Sequence, residues 1–259
     1  RMGIMGVALA TTIARLIELL ICLFDACRFQ TLRFRPSLLL RHNKLLFQDF
    51  LHYSLPAFGN EVSWGVAFSM YSVIMGHLGN DIVAANAVAV VAKNLGTVVC
   101  FGIANAGTIL LGKAMGAGKT ESVKEDASRF CKVTLLSGIA GGILILLLRP
   151  LFMNMADLST VAQGYLRIML YINMYSVIGQ AMNTTVICGI FRSGGDSRWG
   201  FICDFIDMWF FAVPLGFISA FILKLPPMWV YFIIYLDEFV KLPAVYRHYK
   251  KYGWVKNLT

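Results

Sequence analysis

The chain has 259 residues, of which 58% are hydrophobic and 14% are charged, and its mean hydropathy is +0.68. Soluble domains average about 45–50% apolar and about 25% charged residues, so this composition excludes an ordinary soluble domain. The formal net charge of +9 would suit a nucleic-acid partner, but the basic residues lie in short segments between long apolar runs, which is typical of membrane orientation and argues against nucleic-acid binding.

Seven apolar runs are long enough to cross a bilayer, because a spanning helix needs about 20 predominantly apolar residues. In chain order, the predicted spans are 3–24, 54–78, 81–112, 127–153, 159–191, 197–223 and 227–246. The sequence therefore predicts an all-α membrane protein, a polytopic helical bundle of about seven transmembrane helices.

The first run, 3–24, lacks the short apolar region and the small-residue cleavage site of a signal peptide, so we predict a true span. Arg15 and Glu18 are three residues apart on this helix and are predicted to form a structural ion pair. The chain begins without Met and almost inside this span, so we expect a truncated N-terminus.

The segment between the first two spans is basic and partly amphipathic. Residues 27–53 are predicted to form a cytoplasmic linker, in which 44–53 is an amphipathic helix at the membrane interface. An ordinary linker is the alternative for 44–53. Pro56 then falls in the first turn of the second span, where its missing N–H has no helical partner to lose.

Lys and Arg concentrate in the segments after the first, third, fifth and seventh spans, which lie on one side of the membrane. They include Arg33, Arg35, Arg41 and Lys256. The positive-inside rule makes this side cytoplasmic, with 249–259 as a cytoplasmic tail. Seven spans place the start of the chain outside, so the first span fits better as the last helix of a missing N-terminal part.

Charged residues inside a span are costly, so each one is a functional hypothesis. Glu61 lies in the second span, and Trp64, Phe68 and Tyr71 follow it on the same helical face. A carboxylate beside aromatic rings suits a lipophilic cation, because the rings add cation–π attraction. Glu61 is therefore a cation-coupling candidate and the three rings are substrate candidates. The alternative is an aromatic stripe packed on a neighbour, with Glu61 reaching the interface.

The last two spans carry more charges. Asp204, Asp207 and Asp237 are further cation-coupling candidates, because a buried carboxylate can carry a proton or, with carbonyl oxygens, hold sodium. A packing role for Asp204 is equally open. Asp237 and Lys241 are four residues apart, and we predict that they form a structural ion pair.

The fifth span contains Asn173, Gln180 and Asn183, which either line a cavity or form hydrogen bonds between helices. The six cysteines form no CxxC pair, so neither a metal site nor a disulfide framework is predicted. Only four His are present and no nucleophile motif is visible, so we expect no enzyme. We expect no cofactor, and only a proton or sodium as coupling ion.

Several turns resemble those of one transporter family. The residues that carry the resemblance are the loop 189–198 (GIFRSGGDSR), Asp204, the PLG of 214–216, the loop 112–119 (GKAMGAGK), Leu55-Pro56 and the GVALAT of 6–11. Their order along the chain, between spans of this length, makes the chain similar to the MATE (multidrug and toxic compound extrusion) family.

This resemblance implies a twelve-helix protein with two six-helix lobes around a central cavity. Residues 1–26 would be the last helix of an absent N-terminal lobe, and 54–248 the six-helix C-terminal lobe. It further implies a plasma-membrane antiporter that exports drug-like, cationic compounds by alternating access, in exchange for protons or sodium. Its expected partners are the lipid bilayer, such small substrates and the missing lobe.

Some members of the family pair an acid in the seventh helix with an Asp in the tenth. Glu61 matches the first, whereas 159–191 contains no acidic residue. The alternatives are a flippase for lipid-linked precursors, a fragment without transport, and a seven-helix receptor or retinal protein using Lys241. Five intramembrane acids face only Lys93 and Lys241, which favours cationic cargo over an anionic lipid phosphate.

Overall fold

The computed structural model describes residues 3–29, 43–155 and 157–255, and these ranges contain helices and turns without a strand. The chain divides into two units, Arg1–Gln48 and Asp49–Thr259. The predicted cytoplasmic residues Arg33, Arg35, Arg41 and Lys256 lie outside the described residues.

The helices follow one another with short connections. They are α1 (Gly3–Phe29), α2 (Lys44–Leu78), α3 (Asn80–Gly116), α4 (Thr120–Met155), α5 (Thr160–Asn183), α6 (Ser197–Ile222), α7 (Pro227–Ile234), α8 (Asp237–Val240) and α9 (Leu242–Lys250). Helix α5 continues through π-helical turns at Thr184–Phe191, and α6 contains π-helical turns at Asp207–Ala212 and Ile218–Ile222.

Three of the described helices, α3, α4 and α6, combine the length and the hydropathy that a membrane span needs. Many of their apolar side chains are exposed on the outside of the bundle, such as Leu136 on α4 and Phe210 on α6. A soluble protein would not expose so large an apolar surface. The all-α membrane fold predicted from the sequence is confirmed.

Helix α1, in the first unit, holds the predicted ion pair. Arg15 Nη1 lies 2.6 Å from Glu18 Oε2, so the geometry is as predicted. Both side chains are more than half exposed, and an exposed pair of this spacing contributes only about 0.3–0.5 kcal/mol to the helix.

Helix α2 begins earlier than the predicted second span. Residues 44–53 are helical, as expected, but they are continuous with the rest of α2. The predicted start of the second helix at 54 is therefore corrected, because Pro56 lies inside α2 and not in its first turn, while the interface location of 44–53 stays a prediction. No Gly or Pro lies between Lys44 and Leu55 to end the helix, so Pro56 only removes one backbone hydrogen bond.

The start of α5 is fixed by Ser159. Its hydroxyl accepts a hydrogen bond from the backbone N–H of Ala162 at 3.1 Å, so Ser159 is the N-cap of α5. The same hydroxyl donates to the carboxylate of Asp81 at 2.6 Å. This contact ties the first turns of α3 and α5 together.

Helices α3, α4 and α5 approach closely at glycines. A Cβ atom at Gly141 of α4 would collide with the backbone of Gly96 on α3, and one at Gly142 would lie 2.7 Å from the carbonyl oxygen of Met174 on α5. Small residues allow such backbone approach between membrane helices. These three helices form the tightly packed side of the bundle.

The predicted seventh span is broken into α7, α8 and α9, so the single helix 227–246 is corrected. The first break is the turn at Tyr235 and Leu236, and the second lies at Lys241. Pro243 contributes to the second break, because it has no N–H to donate to a carbonyl one turn earlier. The breaks place the buried Asp237 and Glu238 on the short α8.

The predicted tail, 249–259, packs against the lobe in its described part, and its cytoplasmic location stays a prediction. Trp254 is fully buried in an apolar cluster with Phe191 and Val245. Its indole N–H donates to the carbonyl oxygen of Tyr249 at 3.1 Å. The residues up to Val255 therefore complete the packing of the lobe.

Candidate functional site

A buried lysine contacts three carboxylates where α6 meets α8. Lys241 Nζ lies 3.3 Å from Asp204 Oδ1, 3.3 Å from Glu238 Oε2 and 3.6 Å from Asp207 Oδ2. The Lys241 side chain is 1% exposed. We call these four residues the Lys241 cluster. One ammonium faces three acids, so the cluster suits an additional cation or proton.

Two amide side chains donate hydrogen bonds to carboxylates of the Lys241 cluster. Asn183 Nδ2 donates to Glu238 Oε2 at 2.9 Å, and Asn60 Nδ2 donates to Asp204 Oδ2 at 3.2 Å. Neither carboxylate oxygen of Asp207 accepts a hydrogen bond from the residues that the structure describes. Asp207 is therefore the least satisfied acid of the cluster.

Asp237 is not the partner of Lys241, so that predicted ion pair is wrong. Lys241 pairs instead with Glu238, three residues before it. Asp237 Oδ1 accepts the backbone N–H of Glu238 at 2.7 Å, and its Oδ2 accepts the hydroxyl of Tyr71 at 3.3 Å. These two donors hold the Asp237 carboxylate at the start of α8.

The aromatic residues of α2 form a continuous row, as their spacing predicts. Trp64 and Phe68 meet edge to face with centroids 5.4 Å apart, and Phe68 meets Tyr71 at 5.8 Å. Trp64 Nε1 donates to Asp204 Oδ2 at 3.1 Å, while the other end of the row donates to Asp237. The aromatic row is thus hydrogen-bonded to an acid at each end.

This aromatic row is one wall of a cavity of about 560 Å³. Helix α3 lines it with Asn86, Lys93, Asn94, Phe101 and Asn105. This volume lies within the range of about 300–1,000 Å³ that is usual for small-molecule sites. Apolar and aromatic walls with a few polar groups are also typical of such sites.

Glu61 lies at the edge of the same cavity and apart from the Lys241 cluster. Its side chain is 64% exposed, and Glu61 Oε1 lies 3.0 Å from Arg192 Nη2. Sequence spacing could not find this partner, because 131 residues separate the two. The coupling role of Glu61 stays a prediction, and it would act at a different place from Asp204 and Asp207.

The three polar residues of the fifth span have three different surroundings. Asn173 Nδ2 donates to the carbonyl of Ala89 and its Oδ1 accepts from the Tyr231 hydroxyl, both at 3.0 Å, so it joins α5 to α3 and α7. Gln180 lines the cavity. Asn183 supports the Lys241 cluster, as described above.

Sequence analysis missed several cavity residues. Asn86, Asn94 and Asn105 recur along one side of the apolar α3, and this periodicity of amides is the signal that could have revealed them. No such local signal exists for Arg192 or Asn60, whose partners are distant in sequence. Among the described residues, no three His, Cys, Asp or Glu side chains are placed to hold a metal ion.

Residues 56–218 match the family model described as MatE. The chain belongs to the MatE family. The family relationship predicted from the sequence is therefore confirmed, and it places the Lys241 cluster and the cavity in a multi-pass membrane protein.

The MatE chain is similar to three curated relatives. It is 24% identical over 268 residues to the uncharacterized transporter YisQ of Bacillus subtilis, covering 98% of this chain and 56% of YisQ. It is 26% identical to the multidrug resistance protein MdtK of Edwardsiella ictaluri, covering 66% and 38%. It is 27% identical to the probable multidrug resistance protein NorM of Rhizobium meliloti, covering 75% and 44%. The chain spans about half the length of these relatives.

Solved structures share the fold. A multidrug resistance MATE family transporter in its outward-facing conformation superimposes with a TM-score of 0.72 at 19% identity, covering 85% of this MatE chain and 49% of that protein. A MATE protein in complex with MaL6 gives a TM-score of 0.73 at 19% identity, covering 82% and 48%. The match extends over about half of each solved protein.

Proposed function

We propose that the chain is part of a secondary transporter that exports drug-like compounds by alternating access, in exchange for protons or sodium. The observation that carries the proposal is the aromatic row of α2. The row is a wall of the cavity, and Trp64 and Tyr71 donate hydrogen bonds to the buried Asp204 and Asp237. The surface that a compound would touch is therefore bonded to acids that could take up a coupling ion.

Coupling between ion and compound follows from the hydrogen bond that joins Trp64 to Asp204. A proton or sodium ion at Asp204 weakens the attraction of Lys241 for that carboxylate and changes the acceptor of the Trp64 hydrogen bond. A compound that stacks on Trp64 acts on the same hydrogen bond from the cavity side. Because linkage is reciprocal, an ion that alters compound binding has its own binding altered by the compound.

The expected setting is the plasma membrane, with the C-terminal end of the chain in the cytoplasm. A second lobe would face this one across the cavity, and rocking of two lobes around a fixed site is a general transport scheme. Among the structural neighbours, one MATE family transporter is known in outward-facing and one in inward-facing conformation. Cationic cargo is expected from Glu61 and the aromatic row.

The test uses the gene product that contains these residues, reconstituted in proteoliposomes loaded with an aromatic cationic dye. We expect dye movement when a proton or a sodium gradient is imposed, and only one of the two gradients should work. Asp207→Asn should abolish the response to the effective gradient while the protein still inserts. Absence of dye movement under both gradients, with a monodisperse protein, would overturn the proposal.

A flippase for lipid-linked precursors is less well supported. Its cavity would need several basic side chains for a phosphate group. The basic residues that line this cavity are Lys93 and Arg192, and Arg192 is already paired with Glu61.

A further inference from the structure

Two asparagines of α3 differ from those of α5. Asn173 and Asn183 on α5 each donate a hydrogen bond to a neighbouring helix, as polar side chains in membrane spans usually do. The side chains of Asn94 and Asn105 on α3 form no hydrogen bond with another residue that the structure describes. Both are exposed and both line the cavity. Their amide groups are therefore available to a compound in the cavity.

Phe101 lies between these two asparagines on the same face of α3. The spacings of seven and four residues place the three side chains within about 40° of one another around the helix. Phe101 also lines the cavity and is 40% exposed. Asn105 follows it by one helical turn, the spacing at which side chains on a helix are neighbours. We call these three residues the amide face of α3. A ring that stacks on Phe101 thus has an amide group beside it.

The chemistry of an amide selects the group that complements it. An asparagine side chain has two N–H donors and one carbonyl acceptor. An ammonium group can only donate and a carboxylate can only accept, so each satisfies one part of the amide. An uncharged carboxamide or hydroxyl group donates and accepts. A compound without such a group displaces water from the amide and leaves it unsatisfied, which lowers the affinity.

We propose that Asn94 and Asn105 determine specificity by recognising an uncharged hydrogen-bonding group, such as a carboxamide, on the transported cationic aromatic compound. The proposal rests on the transport function proposed above and adds a second feature to its substrate class. The positive charge of the compound lies towards Glu61 and the aromatic row of α2, and its carboxamide lies towards the amide face of α3. Both helices line the same cavity of about 560 Å³, which accommodates such a molecule.

The test is a binding measurement on the complete gene product in nanodiscs. Both probes are 2-naphthylmethylammonium ions with a single positive charge. One carries a carboxamide at ring position 6, and the other carries an isopropenyl group of similar shape that forms no hydrogen bonds. The measured quantity is the ratio of their dissociation constants, which we call the carboxamide preference. We expect the double variant Asn94→Leu/Asn105→Leu to lower this preference about tenfold, because its side chains offer the carboxamide no partner.

Two control variants separate recognition from other effects. Asn94→Gln/Asn105→Gln keeps both amides and should retain most of the carboxamide preference. Thr97→Val removes a hydroxyl of α3 that donates to the backbone carbonyl of Lys93 at 3.1 Å and does not line the cavity, so the preference should be unchanged. Thermal unfolding shows whether each variant is folded, and Ala replaces Leu at both positions if the Leu variant is unfolded.

An unchanged carboxamide preference in the double variant would overturn the proposal. An equal loss of affinity for both probes would also overturn it, because such a loss indicates that the two amides have a structural role or a partner elsewhere in the gene product.

Recognition and transport fail separately in this design. If the carboxamide preference depends on the two amides but neither gradient moves the dye, the transport function is wrong and the recognition remains. If a gradient moves the dye but the preference does not depend on the amides, transport remains and the recognition is wrong.

Discussion

Two lysines are buried in the same lobe, and their surroundings are opposite. Lys241 has three carboxylates within 3.6 Å, whereas Lys93 has an aromatic ring and the cavity. Both ammonium groups have left water and both need a counter-charge. Lys241 forms direct ion pairs with more than one acid, whereas Lys93 forms no direct ion pair with another described residue. The first arrangement joins α6 to the chain at the end of α8, and the second places an ammonium group in the wall of the cavity.

The largest expected effect is that of Lys241→Met. It leaves three buried carboxylates without a cation, and breaking a buried ion pair typically costs about 3–5 kcal/mol of unfolding free energy. Tryptophan fluorescence during thermal unfolding in detergent would measure the loss. Lys93→Met is the matched control and should cost far less, because it leaves no acid unpaired. Equal losses in the two variants would contradict the comparison.

The second effect is a partial rescue. In the Lys241→Met background, Asp207→Asn removes one of the unpaired charges, so the double variant should be more stable than the sum of the single effects predicts. Contacting residues usually show interaction energies of about 0.5–3 kcal/mol. Thermal unfolding of the wild type, the two single variants and the double variant gives this interaction energy. Strictly additive effects would show that Asp207 and Lys241 do not interact.

Trp64→Phe should have a smaller effect. It keeps a ring in the aromatic row but removes the donor to the buried carboxylate of Asp204, at a cost of about 1–3 kcal/mol. Trp209→Phe is the matched control, since its indole donates to the neutral hydroxyl of Ser63 at 2.9 Å. Thermal unfolding should show that Trp64→Phe is the more destabilising change. The reverse order would show that the hydrogen bond from the aromatic row to Asp204 adds little stability.

Glu61→Gln should change stability least, because an exposed ion pair contributes about 0–1 kcal/mol. We expect it to reduce coupled export at a normal level of the protein in the membrane. Glu125→Gln is the control, because Glu125 forms a similarly exposed pair with Arg129 on α4. Dye export by Glu61→Gln that equals that of the control would exclude a coupling role.

Much of the fold follows from the sequence. Apolar runs place the long helices α3 and α6 within about four residues of their ends, because the spanning length is set by the bilayer. The breaks at Tyr235 and Lys241 were missed, since hydropathy continues across them and Pro243 alone does not fix where the helix stops. The burial of Trp254 was missed because a basic segment after the last span predicts a tail.

The sequence predicted which residues belong to the candidate site better than it predicted which of them pair with each other. Spacing along one helix correctly placed Trp64, Phe68 and Tyr71 on one face. It failed for Lys241, because the choice between Asp237 and Glu238 depends on a break in the helix and on the Tyr71 hydroxyl. Partners from distant helices have no signature in the spacing of a single chain.

The contact between Gly96 and Gly141 has a mechanical consequence. The backbones of α3 and α4 touch there, and Cys100 Sγ lies 3.4 Å from Ser137 Oγ one turn away. Neither helix can slide or roll past the other without a collision, so we expect α3 and α4 to move as one rigid body. The π-helical turns of α6 and the breaks between α7, α8 and α9 interrupt the regular backbone outside this pair, so we expect the lobe to deform there more easily than between α3 and α4.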